Sequence, residues 1–137
     1  MTCGGGSERA AARGPWCRKS ARRAHASYFD QALADVGEVR TPHVEPNNES
    51  IFNQYTIRAE RRDELQAWLS SRKIGSKIYY PIPLHLQPCF AYLEYREGAF
   101  PESERAAREV LSLPIYPELT EAQLEETALA IRAFYGR

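Results

Sequence analysis

The segment IFNQYTIRAERRDELQAWLSSRKIG, residues 51–75, decides the fold of this chain because a strand pattern in it leads directly into a helix pattern. In residues 51–60 the side chains alternate between two faces, with Tyr55 and Ile57 on the same face, as in a β-strand. The residues that follow form one apolar helix stripe at positions i, i+3 and i+4: Leu65, Trp68 and Leu69. We therefore predict a helix that packs on a sheet.

Upstream of this unit, a helix is predicted from about Ser20, with Gly37 as its stop. Its apolar residues lie roughly along one face: Ala24, Tyr28, Leu33 and Val36. The charged residues at the start of the central helix, residues 61–64, are predicted to form an exposed cluster.

Downstream, SKIYY at residues 76–80 is predicted to be a second strand that Pro81 ends, because proline cannot donate to a sheet ladder. Pro101 is placed to open a helix, where its missing N–H costs nothing. VLSLPIY at residues 110–116 is a third strand candidate. The final helix is predicted from a capping box and an apolar face: Thr120 with Gln123, then Leu124, Ala128, Ile131 and Tyr135.

The predicted elements follow the order helix, strand, helix, strand, helix, strand, helix. Strand–helix–strand units favour right-handed crossovers, which place helices against a small sheet. We expect an α/β (α+β) two-layer sandwich, in which helices cover one face of a small mixed sheet. At 137 residues the chain has the length of one domain.

Composition argues against several classes of protein. The 18 basic and 18 acidic residues cancel, so no overall charge attracts the chain to nucleic acid or to an anionic membrane. No apolar run approaches the roughly 20 residues that a membrane helix requires. The sequence has no G-x-G-x-x-G, P-loop or G-x-S-x-G motif, and His25 and His43 lack partners at metal-ligand spacing.

The cysteines, Cys3, Cys17 and Cys89, are odd in number and form no C-x-x-C pair. A disulfide framework or a zinc site is therefore not expected, and a reducing cytoplasm is the simplest location. Cys89 lies in an apolar run, where a free cysteine more often packs in a core than acts as a nucleophile.

The N-terminal segment differs from the rest of the chain. The first 26 residues hold six Lys or Arg and one acidic residue, with a glycine triplet and no strand or helix period. We predict a disordered basic tail over residues 1–21, which is foreign to the folded domain of residues 22–137. A transit peptide, a nucleic-acid-binding arm and a misplaced start within a longer gene are alternatives.

The stretch KIYYPIPLHLQPCFAYL, residues 77–93, carries the densest set of candidate binding residues. Its prolines fix the path of the chain and therefore the side chains it displays, and binding residues favour loops held by a rigid scaffold. In one interpretation, this stretch is a binding lip. In the other, Tyr80, Leu84 and Leu86 pack in the core and His85 is a hydrogen-bonded corner histidine.

Two longer stretches, YYPIPLHLQPCFAYL at residues 79–93 and FPESERAAREVLSLPIYPELT at residues 100–120, resemble the DegT/DnrJ/EryC1/StrS family of sugar aminotransferases. FNQYTIRAERRDEL and KIGSKIYYP fit the same family just upstream. The resemblance runs from about Arg22 to the end and corresponds to the C-terminal small domain of these fold-type I, pyridoxal-phosphate-dependent enzymes. Lys73 departs from the pattern, since relatives often have a helix-ending glycine there.

The resemblance implies that the whole enzyme moves an amino group from glutamate to a nucleotide-linked keto-sugar, with pyridoxal phosphate as the electron sink. The small domain would form one wall of the substrate cleft. Phenol, imidazole and amide groups suit the many acceptors and hydroxyls of a diphosphate-linked sugar. The residues implied to line the cleft are Tyr79, Tyr80 and His85, with Asn53 and Gln54 on the neighbouring strand.

The resemblance also implies a cytoplasmic homodimer with neither nucleic acid nor membrane as a partner. The Schiff-base lysine of the family belongs to a large domain that this sequence does not resemble. The chain alone is therefore expected to bind no pyridoxal phosphate and no metal, and to be inactive as a transaminase. The alternatives are a non-catalytic remnant or partner module that lacks the cofactor domain, and a nucleic-acid-binding protein that uses the basic tail.

Overall fold

The computed structural model describes the backbone of residues 15–137 and the side chains of residues 18–137. None of the helices in this range is both long and apolar enough to cross a membrane. In chain order the elements are α1 (Pro15–Ala32), β1 (Val39–Arg40), β2 (Tyr55–Ala59), α2 (Arg62–Ser71), two 3-10 helices (Leu84–Leu86 and Pro88–Leu93), α3 (Pro101–Glu109), β3 (Val110–Leu113) and α4 (Glu121–Phe134).

The sheet has β2 at its centre, with β1 and β3 antiparallel on either side. Buried and half-exposed residues alternate along β2, as the pattern in residues 51–60 predicts. The register pairs Tyr55 with Leu113 and Arg58 with Val110. The expected fold class, helices packed against a small sheet, is confirmed.

The sheet formed by the described residues is antiparallel throughout, so the expectation of a mixed sheet is wrong. The predicted strand at residues 76–80 is also wrong. Within residues 76–80, Lys77 alone pairs with β3, through two backbone hydrogen bonds to Ser112 of 3.1 and 2.7 Å. The residues after Lys77 in this segment make no further backbone pair with β3, so the segment does not form a full strand.

One apolar core lies between the sheet and helices α1, α2 and α4. Tyr55 of the sheet and Leu65 and Leu69 of α2 are fully buried in it. Burying a side chain of this size contributes roughly 1.5–3 kcal/mol, so the predicted apolar stripe of α2 is what holds that helix on the sheet. Trp68 lies at the edge of the core, where its indole N–H donates to the carbonyl of Ala130 in α4 at 2.8 Å.

Helix α1 begins at Pro15, so residues 15–21, predicted as part of a disordered tail, are helical instead. Residues 1–14 of that predicted tail lie outside the described residues. Ala24 and Tyr28, predicted on the core face, are exposed, because the ring of Phe29 lies 5.2 Å from that of Tyr55 and sets the face turned to the sheet. Among residues 18–32, the part of α1 whose side chains the structure describes, Ala26 and Phe29 are buried.

Arg62 is buried, although the sequence predicts an exposed cluster of charges at residues 61–64. Its Nη1 donates to the carbonyls of Ala107 at 3.0 Å and Val110 at 2.9 Å. Its Nε donates to Asp63 at 2.7 Å. The C-terminal carbonyls of a helix have no partner within the helix, so this guanidinium satisfies the end of α3 and fixes the start of α2 against it.

Helix α2 ends in a Schellman motif with Lys73 in the left-handed position, at a φ of 62°. The N–H of Ile74 donates to the carbonyl of Leu69 at 3.0 Å, and the N–H of Lys73 donates to that of Ser70 at 2.9 Å. Ile74 and Leu69 are both buried, which is the apolar contact typical of the motif. A non-glycine residue in this conformation is strained by roughly 1–2 kcal/mol, so the departure at Lys73 falls where the backbone favours glycine.

The predicted starts of α3 and α4 are confirmed. Pro101 is the first residue of α3. Thr120 caps α4, where the Gln123 N–H donates to Thr120 Oγ1 at 3.3 Å and the Thr120 N–H donates to Gln123 Oε1 at 3.0 Å. At the other end of α4, Arg132 donates to the carbonyl of Ala32 at 2.9 Å, which ties α4 to the last residue of α1.

Replacing Lys73 by glycine is expected to raise the free energy of unfolding by roughly 1 kcal/mol, because glycine adopts the left-handed conformation without steric cost. The melting temperature should rise by about 3–5 °C for a domain of this length. Lys73→Ala is the matched control, since it removes the long side chain but keeps the Cβ, and it should bring no gain. A Lys73→Gly variant no more stable than Lys73→Ala would contradict the strain assigned to this residue.

Replacing Arg62 by alanine is expected to lower the free energy of unfolding by about 2–3 kcal/mol, because two carbonyls lose a charged donor. Urea denaturation followed by circular dichroism measures the change. Arg61→Ala removes the neighbouring arginine, whose side chain pairs with Glu64 at the surface, and should have a much smaller effect. Equal losses in the two variants would show that Arg62 is only a surface charge.

Candidate functional site

An open cleft of about 750 Å³ lies where α2 and the end of β3 meet the segments that precede β2 and follow α2. Its volume falls within the roughly 300–1,000 Å³ of small-molecule sites. The polar residues along it are Asn53, Gln54, Asp63, Gln66, Ser70, Ser76, Lys77, Tyr79 and Ser112.

Three of the five predicted binding residues, Asn53, Gln54 and Tyr79, line this cleft. The sheet brings them together. β2 starts directly after Gln54 and pairs there with Leu113, while Lys77 pairs with the residue before Leu113. Asn53 and Gln54 thus precede the strand instead of lying on it, and they share one end of β3 with Tyr79.

Tyr80 lies outside the cleft. It lines a smaller cavity of about 180 Å³ against α3. Its ring centroid is 5.9 Å from that of Tyr79, in an edge-on arrangement. Tyr80 and Leu84 are 65% and 62% exposed, so the interpretation that they pack in the core is wrong. A contact between Tyr80 and a substrate stays a prediction.

His85 is a buried corner residue that does not line the cleft. Its side chain is only 8% exposed, and its Nε2 donates to Oε1 of Glu104 at 3.0 Å. Its ring stands edge-on to Phe100, with the centroids 4.9 Å apart. Of the two interpretations of His85, this geometry favours the hydrogen-bonded corner, because so little of the imidazole is open to a ligand.

Glu104 is the partner of His85 that sequence analysis missed. Its buried carboxylate accepts the Gly98 N–H at 2.9 and 3.0 Å and the Phe100 N–H at 3.3 Å, besides the His85 ring. The Gly98 N–H above all, followed by His85 and the Phe100 N–H, holds the pKa of Glu104 below its ordinary value, against the opposing effect of burial. Two glutamates in the first turn of α3 were the available signal, but only the fold shows which one is buried.

Sequence analysis also missed the polar face of α2. Asp63, Gln66 and Ser70 line the cleft at spacings of three and four residues, on the side away from the buried Leu65 and Leu69. A polar stripe at helical spacing was the signal, but most such stripes only face solvent. The stripe becomes part of a site here because two other chain segments run beside it.

The cleft has little net charge. Among its lining residues Lys77 is the cation and Asp63 the carboxylate. The remaining polar groups are amides and hydroxyls, which can both donate and accept hydrogen bonds. The arrangement suits a ligand with many hydroxyl and carbonyl groups, and Lys77 can attract an anionic part of it.

The first turns of helices α2, α3 and α4 and the exposed lysines Lys73 and Lys77 do not fit pyridoxal phosphate. A cofactor phosphate favours a helix N-terminus free of carboxylates, but the first turns of α2, α3 and α4 all carry acidic residues. Lys73 and Lys77 are exposed, whereas a lysine that forms a Schiff base is usually enclosed so that its amine loses its proton. Residues 15–137 contain no group of three histidine, cysteine or acidic side chains placed to hold a metal.

Cys89 is exposed, so the prediction that it packs in the core is wrong. It lies in the 3-10 helix Pro88–Leu93, and its Sγ is 3.8 Å from Oε1 of Gln87. Tyr92 in the same helix is also exposed. The apolar run therefore does not indicate burial here, because no other element of the described chain covers it.

The fold is that of a small α/β domain with a polar cleft at one end of the sheet. The chain belongs to the DegT/DnrJ/EryC1/StrS aminotransferase family, whose family model matches residues 17–132. The resemblance expected from the sequence is thereby confirmed.

Two curated relatives illustrate the similarity. The chain is 50% identical over 116 residues to the pleiotropic regulatory protein of Geobacillus stearothermophilus, covering 83% of this chain and 31% of that protein. It is 37% identical over 116 residues to the dTDP-3-amino-3,4,6-trideoxy-alpha-D-glucose transaminase of Streptomyces venezuelae, covering 85% and 31%. The chain thus spans about a third of the length of these relatives.

Solved structures share the fold. Streptomyces venezuelae DesV in complex with a ketimine intermediate superimposes with a TM-score of 0.84 at 36% identity, over 88% of this chain and 32% of that one. A DegT DnrJ EryC1 StrS aminotransferase from Brucella abortus superimposes with a TM-score of 0.78 at 39% identity, again over 88% and 32%. The match therefore includes most of this chain and a minor part of each enzyme.

The stability of the domain is expected to fall at low pH because of Glu104. Because the folded protein holds the pKa of Glu104 below the ordinary 4.5, the unfolded chain takes up this proton first as the pH falls. The stability from Glu104 is therefore complete above about pH 5.5 and is lost as the pH falls below 4.5 toward the depressed pKa. We expect the melting temperature of Glu104→Gln to lie well below wild type at pH 6, and the gap to narrow toward pH 3.

Glu102→Gln is the matched control for this titration, because Glu102 is in the same turn of α3 but is exposed and pairs with Arg105. Its melting curve should follow wild type across the pH range. A gap between Glu104→Gln and wild type that stays constant with pH would contradict the depressed pKa.

Proposed function

We propose that this chain forms one wall of the substrate cleft of a pyridoxal-phosphate-dependent aminotransferase, which moves an amino group from glutamate to a nucleotide-linked keto-sugar. The observation that carries the proposal is the meeting of Asn53, Gln54 and Tyr79 in one polar cleft, within a chain of the aminotransferase family. Asn53 and Gln54 precede α2 in the chain, and Tyr79 follows it. An open groove lined by amides and a phenol from separate segments favours a ligand-binding role over a purely structural one.

The chemistry of the cleft matches a nucleotide sugar. Asn53 and Gln54 can donate to and accept from sugar hydroxyls, and the Tyr79 hydroxyl can do either. Lys77 offers an ammonium group to a diphosphate. Neutral hydrogen bonds each contribute about 0.5–1.5 kcal/mol, so several together provide orientation as well as affinity. The Streptomyces venezuelae relative is named for a dTDP-linked amino sugar, which supports this substrate class.

In the proposed enzyme, pyridoxal phosphate supplies the electron sink for amine transfer. The described residues of this chain bind and orient the sugar and leave the cofactor and its lysine to a facing large domain. The assembled enzyme would be a cytoplasmic homodimer that takes glutamate as amino donor. DesV, which has this fold, was solved in complex with a ketimine intermediate, and that complex supports amine-transfer chemistry.

A second candidate function is that of a non-catalytic binding module. The observation that favours it is the 50% identity to a protein named as a pleiotropic regulator. The cleft would then bind a nucleotide sugar without any amine transfer. Replacing the matching region of the Streptomyces venezuelae transaminase by residues 17–132 of this chain separates the two candidates. Glutamate-dependent amine transfer by the folded chimera supports the aminotransferase, and its loss supports the module.

Binding of a sugar nucleotide tests the cleft itself. We expect dTDP-glucose or UDP-glucose to shift backbone NMR signals of residues 53–54, 66–70 and 77–79. Asn53→Ala and Tyr79→Phe should each weaken binding about three- to tenfold, because each removes one hydrogen-bonding group.

Tyr92→Phe is the control for this experiment, since it makes the same chemical change on an exposed tyrosine that does not line the cleft. It should leave the affinity unchanged. Signal shifts that map outside the cleft, or an equal loss of affinity in Tyr92→Phe, would contradict the proposed binding surface.

A further inference from the structure

The segment that carries both tyrosines is held at its two ends. We call residues 78–84 the tyrosine segment. On its N-terminal side, Lys77 exchanges two backbone hydrogen bonds with Ser112 of β3, at 3.1 and 2.7 Å. On its C-terminal side, His85 donates to the buried carboxylate of Glu104 at 3.0 Å. The seven residues between these anchors include Tyr79, which lines the cleft.

Hydrogen bonds within the tyrosine segment and to the residues directly after it keep its backbone in shape. The Leu86 N–H donates to the carbonyl of Pro83 at 3.0 Å, and the Gln87 side chain donates to the carbonyl of Ile82 at 3.2 Å. Ile82 and Leu84 are exposed. Local bonds of this kind keep the shape of the segment. Its place on the domain depends on the packing of Ile78 against the core at its start and on the two anchors, so beyond Ile78 the C-terminal anchor carries most of the positioning.

The C-terminal anchor of the tyrosine segment is a single side chain, the carboxylate of Glu104, which accepts several hydrogen bonds. Both of its oxygens accept the Gly98 N–H, and Oε1 also accepts the Phe100 N–H. Together with the hydrogen bond from His85, these contacts tie both ends of the loop formed by residues 85–100 to Glu104 in α3. The rings support the closure, since Phe100 packs edge-on against both His85 at 4.9 Å and Tyr95 at 5.0 Å.

We propose that Glu104 is a positioning residue of the cleft, which holds the tyrosine segment so that Tyr79 faces the bound sugar nucleotide. It touches no substrate and acts through His85. The part of this proposal that concerns ligand rests on the proposed function, whereas the anchoring of the segment does not. A carboxylate suits the role because its two oxygens can accept all of these donors at once, and charge-assisted hydrogen bonds are roughly twice as strong as neutral ones.

The experiment uses the full chain and the substitution Glu104→Gln, which keeps the size of the side chain but removes its charge and one acceptor. Hydrogen exchange should become at least tenfold faster at the amides of Gly98 and Phe100, and the ring NMR signals of Tyr79 should broaden. The amide of Ile57 in the core should exchange as in wild type. The affinity for dTDP-glucose should fall at least fivefold.

Two controls separate positioning from a general loss of stability. Glu102→Gln changes an exposed carboxylate in the same helix turn and should leave every readout unchanged. Ile131→Val removes one buried methyl group and so lowers the stability of the core without touching the anchor. At a temperature where all variants are folded, Ile131→Val should bind dTDP-glucose like wild type. An affinity loss as large in Ile131→Val as in Glu104→Gln would overturn the proposal.

Unchanged tyrosine and glycine signals in folded Glu104→Gln would also overturn it. If Glu104→Gln does not fold, His85→Asn removes the same contact from the other side and must mobilise Tyr79. If wild type has no affinity for dTDP-glucose, the proposed function fails. The anchoring role of Glu104 is then decided by the exchange rates and ring signals alone, which support it if they change and overturn it if they do not.

Discussion

The antiparallel pairing of β2 with β3 is the constraint on which the rest of the structure depends. It sets Tyr55 opposite Leu113, and so brings the residues before β2 to the same end of the sheet as the chain that follows α2. It also presents Ser112 to Lys77, whose two backbone bonds hold the start of the tyrosine segment. The cleft is therefore a product of strand register, because a shift by one residue would turn every side chain of β3 to the opposite face.

Two buried charged residues, Arg62 and Glu104, connect elements that the sheet does not join. Arg62 satisfies the carbonyls at the junction of α3 and β3, and Glu104 gathers donors from the loop that precedes α3. Burying a charge is costly unless hydrogen bonds compensate it, so each of these residues is found where several partners converge. Both act on α3, and together they determine how that helix sits between the core and the tyrosine segment.

The local patterns in the sequence predicted most of the elements. The alternation around Tyr55, the stripe of Leu65 and Leu69, and the capping box of Thr120 each appear in the structure, because each is decided by residues within one or two turns of one another. The predicted strand at residues 76–80 failed for the opposite reason. Its pattern is compatible with a strand, but pairing depends on a distant partner and is limited to Lys77.

By itself, the sequence determined the order of the helices, the central strand, the apolar stripes and the family to which the chain belongs. It also supplied Asn53, Gln54 and Tyr79 as candidate binding residues. Only the tertiary structure decided that these three share a cleft, that His85 is turned inward, and that Arg62 and Glu104 are buried while Cys89 is exposed. The physical reason is that an apolar stripe is defined by spacing along one element, whereas the burial of a polar group depends on donors and acceptors from remote parts of the chain.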